Sequence, residues 1–403
     1  MNAQRPFSRS VLPLLLGAYI AINAAIAAAQ VEMPMHGAVS ATPTVEGSPT
    51  ATPIPTLEHL LPPNFESRIR IAYEGKLSGR IAFAITVDEQ DRIMVLDLDG
   101  RKVRRLVDWP GSHSFPSWSP SGAELAFSSD QGGGQDIYVV DWIGQTQRQI
   151  TRGPRLNEHP NWSPDGKVIY FTSTDDTKGV ANIYSVDPQG ISAKPTTRFS
   201  GRNMVAKVSP DGRTIAYSTN RNWPGWDVCE FNLATARETC VLAGTESYCR
   251  ADWSPDGNLM AYTFGQFETL NLGILDRSRG SRREVTKMEG KEYDVAFSPD
   301  GAYLVFAAEG ALKGTYNLHL LNLTDGQVQR LLDAPFAMRY PAWTKVTTLE
   351  LESARIREMQ RALAEAQATA TALALQPTST PSAVSETTEP EGLAIVPPTA
   401  VGN

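Results

Sequence analysis

The chain has 403 residues, a formal net charge of −7, 41% hydrophobic residues and three cysteines. A mildly acidic chain without a basic block is a poor match for a phosphate backbone, so no nucleic-acid partner is expected. The length allows two or three average domains, or one closed all-β assembly of about 250 residues or more.

Residues 1–29 read as a secretory signal: Arg5 and Arg9 form a basic start, Leu12 to Ile26 an apolar run, and Ala27-Ala28-Ala29 a small-residue cleavage site before Gln30. The competing reading is an uncleaved membrane anchor, since Val11 to Ala29 is 19 residues long, although Pro13 and Asn23 interrupt it. No cysteine follows the apolar run, so no lipid-modified cysteine is expected there. The protein is accordingly expected to be exported, either periplasmic or extracellular. Residues 30–65 are rich in Thr and Pro (Ala41-Thr42-Pro43-Thr44, Ala51-Thr52-Pro53) and read as an extended linker.

A repeat then dominates. Trp118, Trp162, Val208, Trp253 and Phe297 each precede Ser-Pro, followed by Asp-Gly in four copies and Ser121-Gly122 in the first. A degenerate sixth anchor, Trp343, lacks the turn; successive anchors lie 44, 46, 45, 44 and 46 residues apart. That period is about one four-stranded propeller blade. Behind each turn come short β-branched and aromatic runs, such as Ile169-Tyr170-Phe171-Thr172 and Asn182-Ile183-Tyr184-Ser185. The first set, Arg80 to Leu106, has no anchor before it, and the last anchor has no set after it. Pairing the last with the first closes a six-bladed all-β propeller over residues 66–346 by strand exchange between the termini. Arg68 to Tyr73 reads as a further strand without a placement, and seven blades is the less favoured count.

Cys229 and Cys240 fall on consecutive strands around a turn at Ala234-Thr235, facing each other; in an exported protein this favours a disulfide over two buried thiols. Cys249 is read as structural. The loops Asp130 to Asp136 and Asp175 to Gly179 offer too few carboxylates for calcium and read as turns. Trp223 and Trp226 form an aromatic loop able to stack on a sugar or anchor a peptide, with packing on the adjacent blade as the plainer reading. Residues 347–375 read as a helix with Leu349, Ile356, Leu363 and Ala370 seven apart and Met359, Ala366 and Leu373 beside them. It is a single packed or projecting helix, or a seam for weak self-association. Residues 376–403 read as a second Thr/Pro/Ser-rich stretch, a disordered tail.

At its repeats the chain resembles the TolB-like propeller family, whose pattern Pro-x-Trp-Ser-Pro-Asp-Gly is met throughout by Pro160 to Gly166. The resemblance implies a six-bladed propeller serving as a protein-binding platform in the cell envelope. Family members with an N-terminal α/β domain differ from this chain, whose residues 30–65 are too short and Pro-rich for one. Related propellers also precede hydrolase domains in prolyl-oligopeptidase-type peptidases, whereas a helix and tail follow here.

No Gly-x-Ser-x-Gly elbow, phosphate loop, His-Glu-x-x-His or cysteine-pair zinc pattern occurs. Candidate ligand-binding residues stand just upstream of each anchor, where the inner strands begin. Five before it are His113, Asn157, Asn203, Tyr248, Glu292 and Met338; three before it are Phe115, His159, Val205, Arg250, Asp294 and Tyr340. A hydrated polar funnel at the channel mouth is the plainer reading, and histidines with carboxylates holding a transition metal the sharper one. The chain is therefore expected to be a non-catalytic protein- or peptide-binding scaffold of the cell envelope, without cofactor or assigned metal. The alternative is a carbohydrate-binding or polysaccharide-degrading propeller with a polar or metal site at the channel, a use the resemblance extends to some related lyases.

Overall fold

The computed structural model describes residues 65–374 apart from 176, 223, 267–268 and 311–312. Residues 1–64 (which include the expected signal segment and linker), the expected tail from 375 onward and Trp223 lie outside the described residues.

Six four-stranded antiparallel sheets follow one another among the described residues. Blade 2 starts with inner strand His113–Trp118, blade 3 with Leu156–Trp162, blade 4 with Asn203–Val208, blade 5 with Ser247–Trp253 and blade 6 with Glu292–Phe297. Blade 1 takes its inner strand, Ala337–Thr344, from the C-terminal end and its other three, Arg80–Val87, Gln90–Asp97 and Lys102–Arg105, from the N-terminal end. Thr344 pairs with Arg80 and Met338 with Ile85. Each inner strand touches the inner strands on both sides, so the six form a closed ring.

The recurring turn makes the first hairpin of blades 2 to 6. In blade 3, Gly166 N donates to Ser163 O at 2.9 Å, and Gly166 sits at φ 71°, where a side chain would be strained. Ser163 Oγ donates to Asp165 Oδ1 at 2.6 Å and accepts from Val168 N at 2.9 Å. Blades 4, 5 and 6 repeat the arrangement at Ser209, Ser254 and Ser298. The anchor side chain reaches across to the preceding blade: Trp118 Nε1 donates to Ala342 O and Trp253 Nε1 to Lys207 O.

The apolar interior is divided into six clusters, one per seam. Ala82, Ile93, Trp118 and Phe127 fill the seam between blades 1 and 2, while Phe306, Phe297, Leu272 and Ile274 fill that between 5 and 6. The segment Arg68 to Tyr73 finds its place here: after a short 3-10 turn, Phe65–Arg68, strand Arg70–Ile71 pairs with Leu332–Asp333. Phe65 and Ile69 are buried in the cluster between blades 6 and 1. Cys229 and Cys240 oppose each other on the outer two strands of blade 4 and form a disulfide.

Beyond the last strand, Thr347 and Glu350 make a reciprocal capping box: Thr347 N donates to Glu350 Oε2 at 2.7 Å and Glu350 N to Thr347 Oγ1 at 3.1 Å. Helix α1, Thr348–Ala374, starts there. Leu349, Ile356, Met359 and Leu363 are 54–72% exposed, so this part of the heptad seam does not pack on the propeller. No described helix is long and apolar enough to cross a membrane.

One side chain ties the closure together. Arg80 is fully buried; its Nε donates to Val346 O at 2.9 Å and its Nη2 to Gly122 O at 2.6 Å. Its guanidinium lies 4.3 Å over the Trp118 ring. It thereby joins blade 1, the first turn of blade 2 and the end of the closing strand. Burial pulls its pKa down to about 10, which leaves it charged at neutral pH. Replacement Arg80→Ala strands two carbonyl groups, each costing about 1–3 kcal/mol when buried without a donor. We expect a loss of roughly 3–5 kcal/mol, read as a lower urea midpoint at unchanged m-value, with Arg80→Met recovering only the packing share.

Candidate functional site

Each inner strand carries a register shift next to the residue three before its anchor, for example between Ser114 and Ser117 or between Cys249 and Asp252. At that residue the backbone is left-handed in all six blades: Phe115, His159, Val205, Arg250, Asp294 and Tyr340 have φ between 54° and 58°. Such a conformation costs a non-glycine residue roughly 1–2 kcal/mol, and Val205 is β-branched besides. Neighbouring blades hold it in place: Val205 N donates to Thr172 Oγ1 at 3.1 Å and Arg250 N to Ser218 Oγ at 3.0 Å. A bulge of this kind re-aims its side chain.

Five of the six bulge residues meet at the axis. Phe115 lies 3.9 Å from the His159 ring and 4.2 Å from the Tyr340 ring. Arg250 Nη1 donates to Asp294 Oδ1 at 2.6 Å, and Arg339 Nε to Asp294 Oδ2 at 3.3 Å. Arg250 also lies 5.7 Å from the Tyr340 ring, two blades away. Arg339 sits over Tyr340, Tyr293 and Tyr316 at 4.6, 5.6 and 5.6 Å. Two guanidinium groups thus share one carboxylate, which leaves one positive charge beside an aromatic surface.

His159 is buried beside Phe115, and its Nδ1 has no hydrogen-bond partner. Burial, reinforced by Arg250, Arg339, Lys207 and Arg202, holds its pKa well below 6.5, so the ring is neutral. Burial likewise pushes the Tyr340 hydroxyl up to about 12 and the Cys249 thiol up to about 11. Neither is an anion at neutral pH, and Cys249 stands as a protonated thiol.

The residues five before each anchor do not join this ring. His113 is fully buried, with Nδ1 2.9 Å from Ser129 Oγ and Nε2 2.8 Å from Trp109 O. Asn157 donates to Asp136 Oδ1, and Asn203 accepts from Thr219 Oγ1. Glu292 is enclosed and accepts from Met288 N at 2.7 Å and Leu272 N at 3.2 Å, with Thr286 Oγ1 also bonded to it; burial raises its pKa against those bonds. Tyr248 and Met338 pack in seams. These six brace the connection between blades; the expectation that they open on the channel mouth is corrected. His113 and Glu292 therefore do not gather with His159 and Asp294. Among the described residues the grouping with metal-ligand spacing is Cys229, Glu238 and Cys240, whose sulfurs are joined to each other.

Trp226 is half-buried, and its backbone docks on blade 5: Tyr248 N donates to Trp226 O at 2.7 Å. The loop carboxylates are occupied locally, Asp130 by Ser112 N and Asp175 by Arg155, Lys178 and Thr177. Two members of the axial group escaped the sequence pattern. Arg339 stands four before its anchor and Tyr293 likewise, next to the bulge residue in each case.

A family model described as the TolB beta propeller domain matches residues 75–247. No curated protein matches the chain in sequence. Among solved structures, TolB from Acinetobacter baumannii is 24% identical with a TM-score of 0.59, covering 67% of each chain. Kuenenia stuttgartiensis hydrazine synthase is 15% identical, TM-score 0.57, covering 68% of this chain and 48% of that one. A chain of the nidogen/laminin complex is 10% identical, TM-score 0.55, covering 66% of this chain and 98% of that one. At these identities the likeness is one of fold.

The neutral state of His159 has a consequence for pH. The unfolded chain takes up a proton near pH 6.5 that the folded site refuses, so stability is present above that pH and declines as pH falls through it. His113 and His319 act in the same direction and Glu292 in the opposite one, so the comparison must be between variants. We expect His159→Phe to lose less stability than the parent between pH 7.5 and 5.5, by about 1 kcal/mol in paired urea titrations.

Proposed function

We propose that this TolB-like six-bladed propeller is a non-catalytic scaffold of the cell envelope that binds a peptide or protein segment at its axis. The observation that carries the reading is the convergence of Phe115, His159, Arg250, Asp294, Arg339 and Tyr340 on one place. Aromatic faces and arginines are the residue types that anchor protein partners. Six strained bulges in register are the kind of local cost that persists at binding sites. The site offers a partner an aromatic surface beside a guanidinium pair, suited to an aromatic or aliphatic side chain next to a carboxylate. It holds no nucleophile beside a base: His159 has no hydroxyl or thiol on its free nitrogen.

Export through residues 1–29, with cleavage before Gln30, completes the proposal. The linker over 30–65 and the tail over 376–403 then tether the propeller and α1 to other envelope components. The exposed seam of α1 supports weak self-association. A carbohydrate or metal site at the channel gains no support from the enclosed His113 and Glu292.

Envelope extracts passed over the full-length protein are expected to yield a partner that a binding assay reproduces with purified components. Phe115→Ala and Arg250→Gln are each expected to weaken it by about tenfold or more, the scale of an interface anchor. Unchanged affinity in both variants, or no enrichment over a charge-scrambled control, would remove the axial site from consideration. N-terminal sequencing of exported protein beginning at Gln30 checks the processing.

A further inference from the structure

In blades 2 to 6 the segments that enter the inner strands follow two alternating designs, while blade 1 has Ala334 nine before its anchor and Phe336 seven before, both packed on the closing seam. In blades 2, 4 and 6, Trp109, Phe199 and Met288 stand nine before the anchor, and Gly111, Gly201 and Gly290 stand seven before it. Those three bulky side chains pack into the seam clusters. In blades 3 and 5 the order is inverted: Gly153 and Gly244 stand nine before, with Arg155 and Glu246 seven before. The seam plug is therefore missing twice. Blade 5 replaces it with Tyr248, which stacks on Phe264 at 6.5 Å. Blade 3 has Asn157 at that position, a smaller side chain that donates to Asp136 at 2.9 Å and lines the gap instead of filling it.

The unplugged seam leaves a cavity of about 450 Å³ between blades 2 and 3, a volume typical of small-molecule sites. A Cβ on Gly153 would meet nothing within 4 Å. Phe171 and Tyr184 line the cavity with apolar surface, Thr151 and Ser173 with polar groups, and Arg152 and Arg155 with charge. Among the described residues no Asp or Glu lines it. Arg155 leans over the Tyr184 ring at 5.8 Å and keeps one 3.3 Å contact to Asp175. Arg152 is exposed beside it. In a chain of net charge −7, two arginines face an aromatic-lined cavity whose described lining has no carboxylate, Asp136 being bonded behind it to Gln149, Thr151 and Asn157, and this selects for negative charge.

We propose that this cavity binds a small oxyanion-bearing molecule, a carboxylate or phosphate carried on a compact ring-sized body. Arg152 and Arg155 hold the anion, and Tyr184 and Phe171 lie against the body. The site is separate from the axial one and does not depend on it.

Three sugars with the same ring separate the contributions: glucuronate, glucose 6-phosphate and glucose. Titrated into the full-length protein, at least one of the two anions is expected to shift the amide resonances of Gly153, Gly190 and Ile191 saturably, and glucose is not. The stronger of the two identifies the anion. Arg152→Ala combined with Arg155→Ala is expected to weaken binding about tenfold or more, as for loss of charge-assisted hydrogen bonds. Arg279→Ala, an exposed arginine of blade 5, should leave it unchanged. The single Arg152→Ala, at an exposed position, serves if the double variant does not fold. No saturable shift with either anion, equal binding of glucose, or full affinity in the arginine variants would overturn the proposal.

Discussion

Everything in this propeller depends on the pairing of Ala337–Thr344 with Arg80–Val87. A blade buries its two faces only against its neighbours, so there is no central core that survives the loss of one seam. The described part of the seam between blades 6 and 1 contains seventeen buried apolar side chains, and the other five contain seven to eleven each. The excess lies where the two ends of the chain meet, and it includes Phe65 and Ile69 from the strap that precedes blade 1. Arg80 adds polar bonds at the same place, bridging Val346 and Gly122. Closure by separate chain ends is entropically the most demanding contact in the ring, and the sequence concentrates stabilisation there.

The periodic turn makes the blades legible in the sequence. Anchor spacing placed the inner strands, and the unmatched first and last sets pointed to the exchange that closes blade 1. The two residues around the Ala234-Thr235 turn faced each other because a hairpin register is set by its turn. Less legible was the strap at Arg70–Ile71, because two residues have no period to read. The six bulge residues are six different residue types, and none is glycine or asparagine; only His159 and Asp294 are of types that enter this region readily, so the left-handed backbone leaves little trace in residue type.

That hidden bulge explains the misplaced half of the site. Both sets stand just upstream of the anchors, where the inner strands begin, and strand alternation alone would put residues five and three before the anchor on one face. One extra residue between them breaks the alternation. The bulge residue turns to the axis, while the residue two earlier returns to the blade face that the anchor occupies. His113 and Glu292 then meet the neighbouring blade instead of solvent, and their polar atoms bind the backbone of the connecting segment. A polar residue there braces the blade junction. A polar residue at the bulge is free to act.

Blade 3 shows how such a ring accommodates a site away from its axis. Its two seams have the smallest described clusters, eight and seven buried side chains, and its outer strand is only Lys194–Pro195. A free-standing sheet so poorly covered would not persist. Inside a closed ring it is held from both sides, because blades 2 and 4 are fixed by their own plugs at Trp109 and Phe199. Surplus stabilisation at the closing seam therefore permits a deficit two blades away. Alternation of plugged and unplugged entries is the pattern that distributes it: no unplugged blade adjoins another. The repeats that agree carry the ring, and the positions where they differ, at the bulge and nine before the anchor, are left available for recognition.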